Sequence, residues 1–474
     1  MVSPSSPVTS AFHTGFDDLR RELDIEDEFS PEALAEAATP HPESERAGTR
    51  RVDARDLDLV TIDPPHSLDL DQAYGAQRRG EGYEVSYAIA DPAAFIAPGG
   101  ALDQATRRRG VTMYAPDHNT PLHPRVLSED SASLLAGRDR PAVLWTITLD
   151  AEGRQMAARL ERATVRSREK LSYREAQRRI DDASAAESLV LLAEIGHLRD
   201  QLEQERGGVS LRLPSQEVVA TDDGYALRYD QSLPVEDWNA HISLLAGMAA
   251  ADLMLDAGVG LLRTLPPPPD DTLRQVRRHG LALGIDWPHD QSYQERVRTL
   301  EHEVPEHAAL LAFAVRALRG AGYMALERGS APPGDTIHWA IGADYAHVTA
   351  PLRRVGDRFA NECLLAICAD QDVPAWAVEG AEEMPEVLGR ARRRERALDR
   401  GVVDLAEALL LAPRLGEVFS AVVTTERRDG QVAIQIREPA VAATCLSEAS
   451  PGEVIDVRLT AADPDARRVV FEPT

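Results

Sequence analysis

Two spacings of apolar residues divide the chain. A spacing of two marks Leu57–Ile62, Tyr83–Ala90 and Val143–Leu149; in the second, Val85, Tyr87 and Ile89 alternate with smaller or polar residues. Successive strand side chains point to opposite faces, so these segments are expected to be strands. A helical spacing dominates the middle. Ser184–Arg206 is amphipathic and closed by Gly207-Gly208, and Val235–Ala257 is apolar on most sides, as a central buried helix would be. Further helices are expected over Ala101–Arg109, Asp271–Gly280, Glu306–Leu318, Arg353–Ala369 and Ala381–Leu411, with Ile337–Ala350 short and extended. Pro266–Pro269 and Pro332–Gly334 break the pattern between them. Near the start, Phe16–Leu23 and Pro31–Ala38 read as short helices, the second with Ser30 as N-cap and Pro31 in its first turn. Residues 1–10 are expected to be disordered and Pro40–Arg50 to be a polar linker. After Pro413 the spacing returns to two in Val418–Thr424, Gln431–Ile436, Val454–Thr460 and Val469–Phe471, which predicts a small OB-like β-barrel. The expected architecture is α+β, divided as 1–50, 51–412 and 413–474.

Composition narrows the class. With 43% hydrophobic and 27% charged residues, the 474-residue chain has the make-up of a globular protein. No apolar run approaches the roughly 20 residues that span a bilayer, and the polar first residues do not resemble a secretory signal. Cys363, Cys368 and Cys445 fit neither a disulfide framework nor a zinc spacing, so free thiols in a reducing cytoplasm are expected. A net charge of −26 excludes a broad nucleic-acid-binding coat. It leaves room for a local basic channel, because arginines cluster at Arg107–Arg109, at Arg353-Arg354 and from Arg390 to Arg400. Such clusters are more commonly solvated helix faces. No membrane and no obligate protein partner are expected.

The chemistry concentrates in Thr61-Ile62-Asp63-Pro64-Pro65-His66-Ser67-Leu68-Asp69-Leu70-Asp71-Gln72-Ala73. In extended backbone Asp69 and Asp71 share a face, and a turn at the two prolines brings Asp63 towards it. Carboxylates gathered in this way repel unless a cation lies between them, and their hard oxygens suit Mg2+ or Mn2+ better than zinc. Acidic residues also cap turns and helices, and the spacing alone leaves both readings open.

Ordered matches along the chain bear on that choice. The Asp63–Ala73 stretch resembles the signature of the ribonuclease II (RNB) exoribonucleases. Tyr87–Asp91, Tyr114–Pro116, Leu122–Pro124, Leu127–Leu135 and Arg166–Tyr173 are similar to its following blocks. Tyr345–Arg354 resembles its late arginine motif. The resemblance runs in family order from about residue 52 to about 360. It implies an RNB catalytic domain, a mixed sheet with surrounding helices, over 51–412. The implied activity is Mg2+-dependent 3′→5′ hydrolysis of single-stranded RNA to nucleoside 5′-monophosphates, with Mn2+ as a substitute. By position, Asp63, Asp69, Asp71 and Gln72 carry over as metal ligands, and Asp71 and Arg353 as catalytic residues. Tyr114 carries over as an aromatic that packs on the RNA, and Arg354 as a contact to a neighbouring phosphate. Asp399 falls near a late acidic position with poor flanking agreement.

The chain also departs from the family pattern. Gln72 stands where a second aspartate usually follows Asp71, which is expected to weaken a second metal unless another acid, such as Asp91, replaces it. Gln72→Asp is accordingly expected to lower the Mg2+ requirement. Ala350 replaces a common serine, Val218 stands near a usual stacking aromatic, and about 50 residues precede the catalytic region, too few for tandem cold-shock barrels. The competing expectation is a catalytically weakened RNB-fold protein that binds RNA or a partner, because Gln72 brings no charge.

Overall fold

The computed structural model describes residues 7–39, 50–209, 216–221, 224–229, 232–301, 304–427 and 430–474. The expected linker at 40–49 and the first six residues lie outside them. Five strands form the first barrel: β1 (Val52–Ile62), β2 (Gln72–Arg79), β3 (Gly82–Ala90), β4 (Asp139–Leu149) and β5 (Gln155–Leu171). Neighbours pair antiparallel in that order, and β5 then pairs parallel with β1 through Ala54↔Val165 and Ile62↔Leu171. The mixed sheet therefore closes on itself and leaves no open edge. Both faces of its strands are buried. Val85, Tyr87, Ile89, Trp145 and Ile147 pack against the helices, whereas the intervening Ala88, Ala90, Leu144 and Val165 join Leu59 and Leu70 in a second, smaller-residue cluster.

Helices Glu187–Glu205, Pro234–Ala257, Val355–Cys368 and Ala375–Leu411 supply most of the rest of the main core. Pro234–Ala257 is long and apolar enough to cross a membrane, but Ile242, Leu245, Ala246, Ala249 and Ala250 are wholly inside the core. Gly247 lets this helix touch the segment leading to Arg353. A Cβ there would lie 2.6 Å from the Ala346 carbonyl oxygen, and the Ala346 N–H donates to the Gly247 carbonyl at 3.0 Å.

A second closed barrel is built from Val418–Glu426, Gln431–Ile436, Val441–Leu446, Val454–Asp463 and Arg468–Pro473. Its Phe419 and Phe471 belong to a core shared with Leu398, Val402 and Leu405 of the long helix and with Phe12, Phe16 and Leu19 of the first helix. That helix spans Pro7–Glu22, so residues 7–10 of the stretch expected to be disordered are helical. Its two phenylalanines are fully buried, and local composition does not reveal the surface that receives them. The Ser30 hydroxyl accepts from the Ala33 N–H as a helix N-cap should, and all three cysteines are free thiols.

Candidate active site

The loop from Asp63 to Asp71 connects β1 to β2 and is fixed at several points. The Asp63 N–H donates to the Leu171 carbonyl at 3.0 Å, while Lys170 Nζ donates to the carbonyls of Pro65 and Ser67. Ser133 Oγ donates to the Leu68 carbonyl and accepts from the Leu70 N–H. These bonds bring Asp69 within electrostatic reach of both Asp63 and Asp71, and Arg353 within reach of Asp63 and Asp71. Burial pushes the Asp63 carboxyl up to about 6; Lys170 opposes the rise and Asp69 adds to it. Burial also raises Asp71 well above the usual carboxylate range, against the pull of Arg353 and of the Leu352 N–H.

The arginine arrives from the other end of the sequence. The Leu352 N–H donates to Asp71 Oδ1 at 2.7 Å, and Arg353 Nε lies 3.7 Å from Asp71 Oδ2. Arg353 keeps 44% of its side chain exposed, so its guanidinium remains accessible to a ligand. Tyr114 is 47% exposed, and its hydroxyl donates to Asp69 Oδ2 at 3.2 Å. A cavity of about 340 Å³ opens beside this group, lined by Tyr114, Arg353, Arg263, Tyr323, Arg392 and Arg396 among others. A buried aspartate, an accessible arginine, an exposed aromatic ring and further cations thus share one recess. That combination suits a phosphodiester carrying a base.

The family model of the RNB domain matches residues 51–370. The chain belongs to the RNB family. The RNase II-type exonuclease C-terminal S1 domain model matches residues 417–474, which contain the second barrel. Ribonuclease R of Escherichia coli K12 is 26% identical over 415 residues, covering 81% of this chain and 49% of the relative. The chain thus spans about half the length of that curated relative. Mycoplasma genitalium RNase R, solved in complex with ribose-methylated single-stranded RNA, superposes with a TM-score of 0.85 at 19% identity, over 98% of this chain and 78% of that one. Yeast Ssd1, a pseudonuclease, has the same fold at a TM-score of 0.70 and 17% identity, over 96% of this chain and 57% of that one.

The RNB site differs from expectation at three residues. Gln72 is engaged away from the carboxylates. Its Nε2 donates to the Thr349 carbonyl at 2.7 Å, and its Oε1 accepts from the Tyr87 hydroxyl at 2.6 Å and from Ser243 Oγ at 3.4 Å. Ser243 Oγ also lies 2.7 Å from the Tyr87 hydroxyl, so its single proton is shared between the two and Tyr87 is the firm donor to the amide oxygen. Arg354 lines the same cavity as Arg353, but its Nε and Nη2 are held by Asp357 at 2.8–3.2 Å. Asp91 is no substitute acid, since it is buried and paired with Arg51 and Arg162, each at 2.7 Å. Asp399 is exposed on the long helix, and Val218 packs against the second barrel's core.

The remaining donors were tested for a metal. Among the described residues, no three His, Cys, Asp or Glu side chains already converge as a ligand set. The donor chemistry nevertheless fits a hard divalent cation. Asp63 Oδ2 is buried with no hydrogen-bond partner, the Asp69 carboxylate lies close enough to raise its cost, and Asp69 is within reach of Asp71 in turn. Sequence reasoning missed Arg392 and Arg396. They sit one helical turn apart within the Arg390–Arg400 cluster, which the sequence left open between a solvated face and a basic channel, and their i, i+4 spacing was the available signal.

Proposed function

We propose that this RNB-family chain is a divalent-cation-dependent 3′→5′ exoribonuclease that hydrolyses single-stranded RNA to nucleoside 5′-monophosphates. Family membership supports ribonuclease activity in general, and the polarity, product and Mg2+ preference are the finer proposal. One observation carries it: the Asp71 carboxylate and the Arg353 guanidinium, 282 positions apart in the chain, are held together by the Leu352 N–H.

In the reaction, water attacks the phosphorus of the terminal nucleotide. The bond from phosphorus to the O3′ of the preceding nucleotide breaks, so the phosphate leaves on the released nucleotide and the shortened RNA keeps a 3′-hydroxyl. A cation held by Asp63, Asp69 and Asp71 would supply a more acidic water and offset charge on the phosphoryl oxygens. Arg353 faces the same oxygens with a planar pair of donors, which suits charge that grows in the transition state. The Tyr114 ring offers a stacking face that does not discriminate among bases. Arg392 and Arg396 line the cavity with positive charge despite the acidic whole, as a strand of phosphates needs.

The test uses RNA labelled at either end. With Mg2+, a 3′ label should appear at once as mononucleotide, while a 5′ label shortens stepwise, and EDTA should stop both. RNA binding without mononucleotide release would favour the competing reading of a binding protein, and release of the 5′ label first would reverse the proposed polarity.

A further inference from the structure

Six successive residues of the arginine loop are each tied to a partner. Val348 O accepts from Asn361 Nδ2, Thr349 O from Gln72 Nε2 and Pro351 O from His123 Nε2. The Ala350 N–H donates to Asp357 Oδ2, the Leu352 N–H donates to Asp71 Oδ1, and Arg353 O accepts from the Thr112 N–H. The anchoring side chains are almost all buried: His123, Asp71, Asp357 and Asn361 each have 5% exposure or less. Two of the anchors, Asp71 and Gln72, are neighbours where β2 begins.

The chemistry of the Gln72 contact is directional. A carbonyl oxygen only accepts, so the group facing Thr349 O must be the NH2 end of the amide, and the oxygen end then meets the Tyr87 and Ser243 hydroxyls. An aspartate or glutamate at this position would set an acceptor against an acceptor. Thr349 is 4% exposed, so its carbonyl has little water to turn to.

We infer that Gln72 is a positioning residue: a two-sided amide staple that fixes the Arg353 loop against the start of β2, next to Asp71, in place of a metal ligand. The inference rests on the hydrolytic reading of this site for its effect on rate, but the staple itself does not depend on it. It also reverses the expectation for an acidic replacement. An added carboxylate would cost the loop its anchor.

The variants are Gln72→Met, which removes both ends of the staple, and Gln72→Glu, which keeps size and removes the donor. Each should lower kcat on single-stranded RNA by about tenfold or more, with KM for RNA changed by less than about twofold, as expected for loss of one buried hydrogen bond that aligns the arginine. Amide hydrogen exchange over 348–354 should accelerate in both variants. Mn2+ titrated directly into the metal-free protein should bind Gln72→Met as it binds wild type. Mn2+ binding weakened severalfold in Gln72→Met with unchanged loop exchange would make Gln72 a ligand and overturn the inference. Unchanged exchange with unchanged kcat would do the same. If wild type itself releases no nucleotide, the functional reading fails, while accelerated exchange would still uphold the staple.

Discussion

Asp71 carries the most chemistry on a single side chain. One oxygen takes the Leu352 N–H and the other lies towards Arg353, and only 5% of the residue is exposed. Asp71→Asn keeps an acceptor for Leu352 but removes the charge, so hydrolysis should fall by about 10²-fold or more with RNA affinity largely kept. Equal losses of rate and binding would contradict this. Tyr114→Ala should instead weaken RNA binding by about 1–3 kcal/mol, the worth of one stacked base, which a fluorescence anisotropy titration reads directly. Unaltered affinity would remove Tyr114 from the RNA path. At this scale the proximity of Asp69 to Asp63, Asp71 and Tyr114, and of Arg353 to Asp71, was legible in the sequence, because the flanking residues repeat a family signature. The partners of Gln72 and Asp91 were not. Thr349, Tyr87 and Arg162 are distant in the chain, and no local pattern announces which side chain an amide or carboxylate will face.

Among the elements, β3, β4 and most of the helices were legible from spacing alone. β2 and β5 were not. β2 reads Gln-Ala-Tyr-Gly-Ala-Gln-Arg-Arg and β5 is rich in Arg and Glu, so neither alternates cleanly. Both are strands because closure of the barrel gives β5 two partners, β4 and β1, which settles the backbone where propensity does not. β5 also contributes Arg162, which is 1% exposed and joins Asp91 at the end of β3 to Glu362 on the Val355–Cys368 helix. Burial pushes the Glu362 carboxyl up, and Arg162 is what opposes it. Arg162→Met should therefore destabilise the fold by about 3–5 kcal/mol in denaturant unfolding, because it strands a buried carboxyl rather than replacing a whole pair. A loss below about 1 kcal/mol would show that Arg51 and protonation compensate.

On the scale of the molecule, the second barrel packs on the long helix, and a cavity of about 490 Å³ lies between that barrel, the long helix and residues 308–312. Glu407 lines it. Burial holds this carboxyl at about 7, above its ordinary 4.5, although Gln216 and the Ala442 N–H pull it down. The folded chain keeps this proton to a higher pH than the unfolded chain does, so the group's contribution to stability falls as pH rises through that window. Glu407→Gln should raise unfolding stability at pH 8 by up to about 3 kcal/mol and leave it unchanged at pH 4. A gain that is the same at both pH values would place the effect elsewhere. The second barrel itself was foreseen from four of its five strands, whereas its docking on Phe12 and Phe16 could not be read from a local pattern that gives a short helix from Phe16 but not the surface it meets. The central claim concerns the recess beside Arg353 and Tyr114: that Asp71 and the Arg353 loop together cut RNA. Its most direct test follows mononucleotide release from uniformly labelled single-stranded RNA in Mg2+, with wild type and Asp71→Asn side by side and filter binding on the same samples. The account predicts 5′-mononucleotides from wild type alone, with both proteins retaining RNA. Equal release by the two proteins, or RNA retained by wild type without any release, would contradict it.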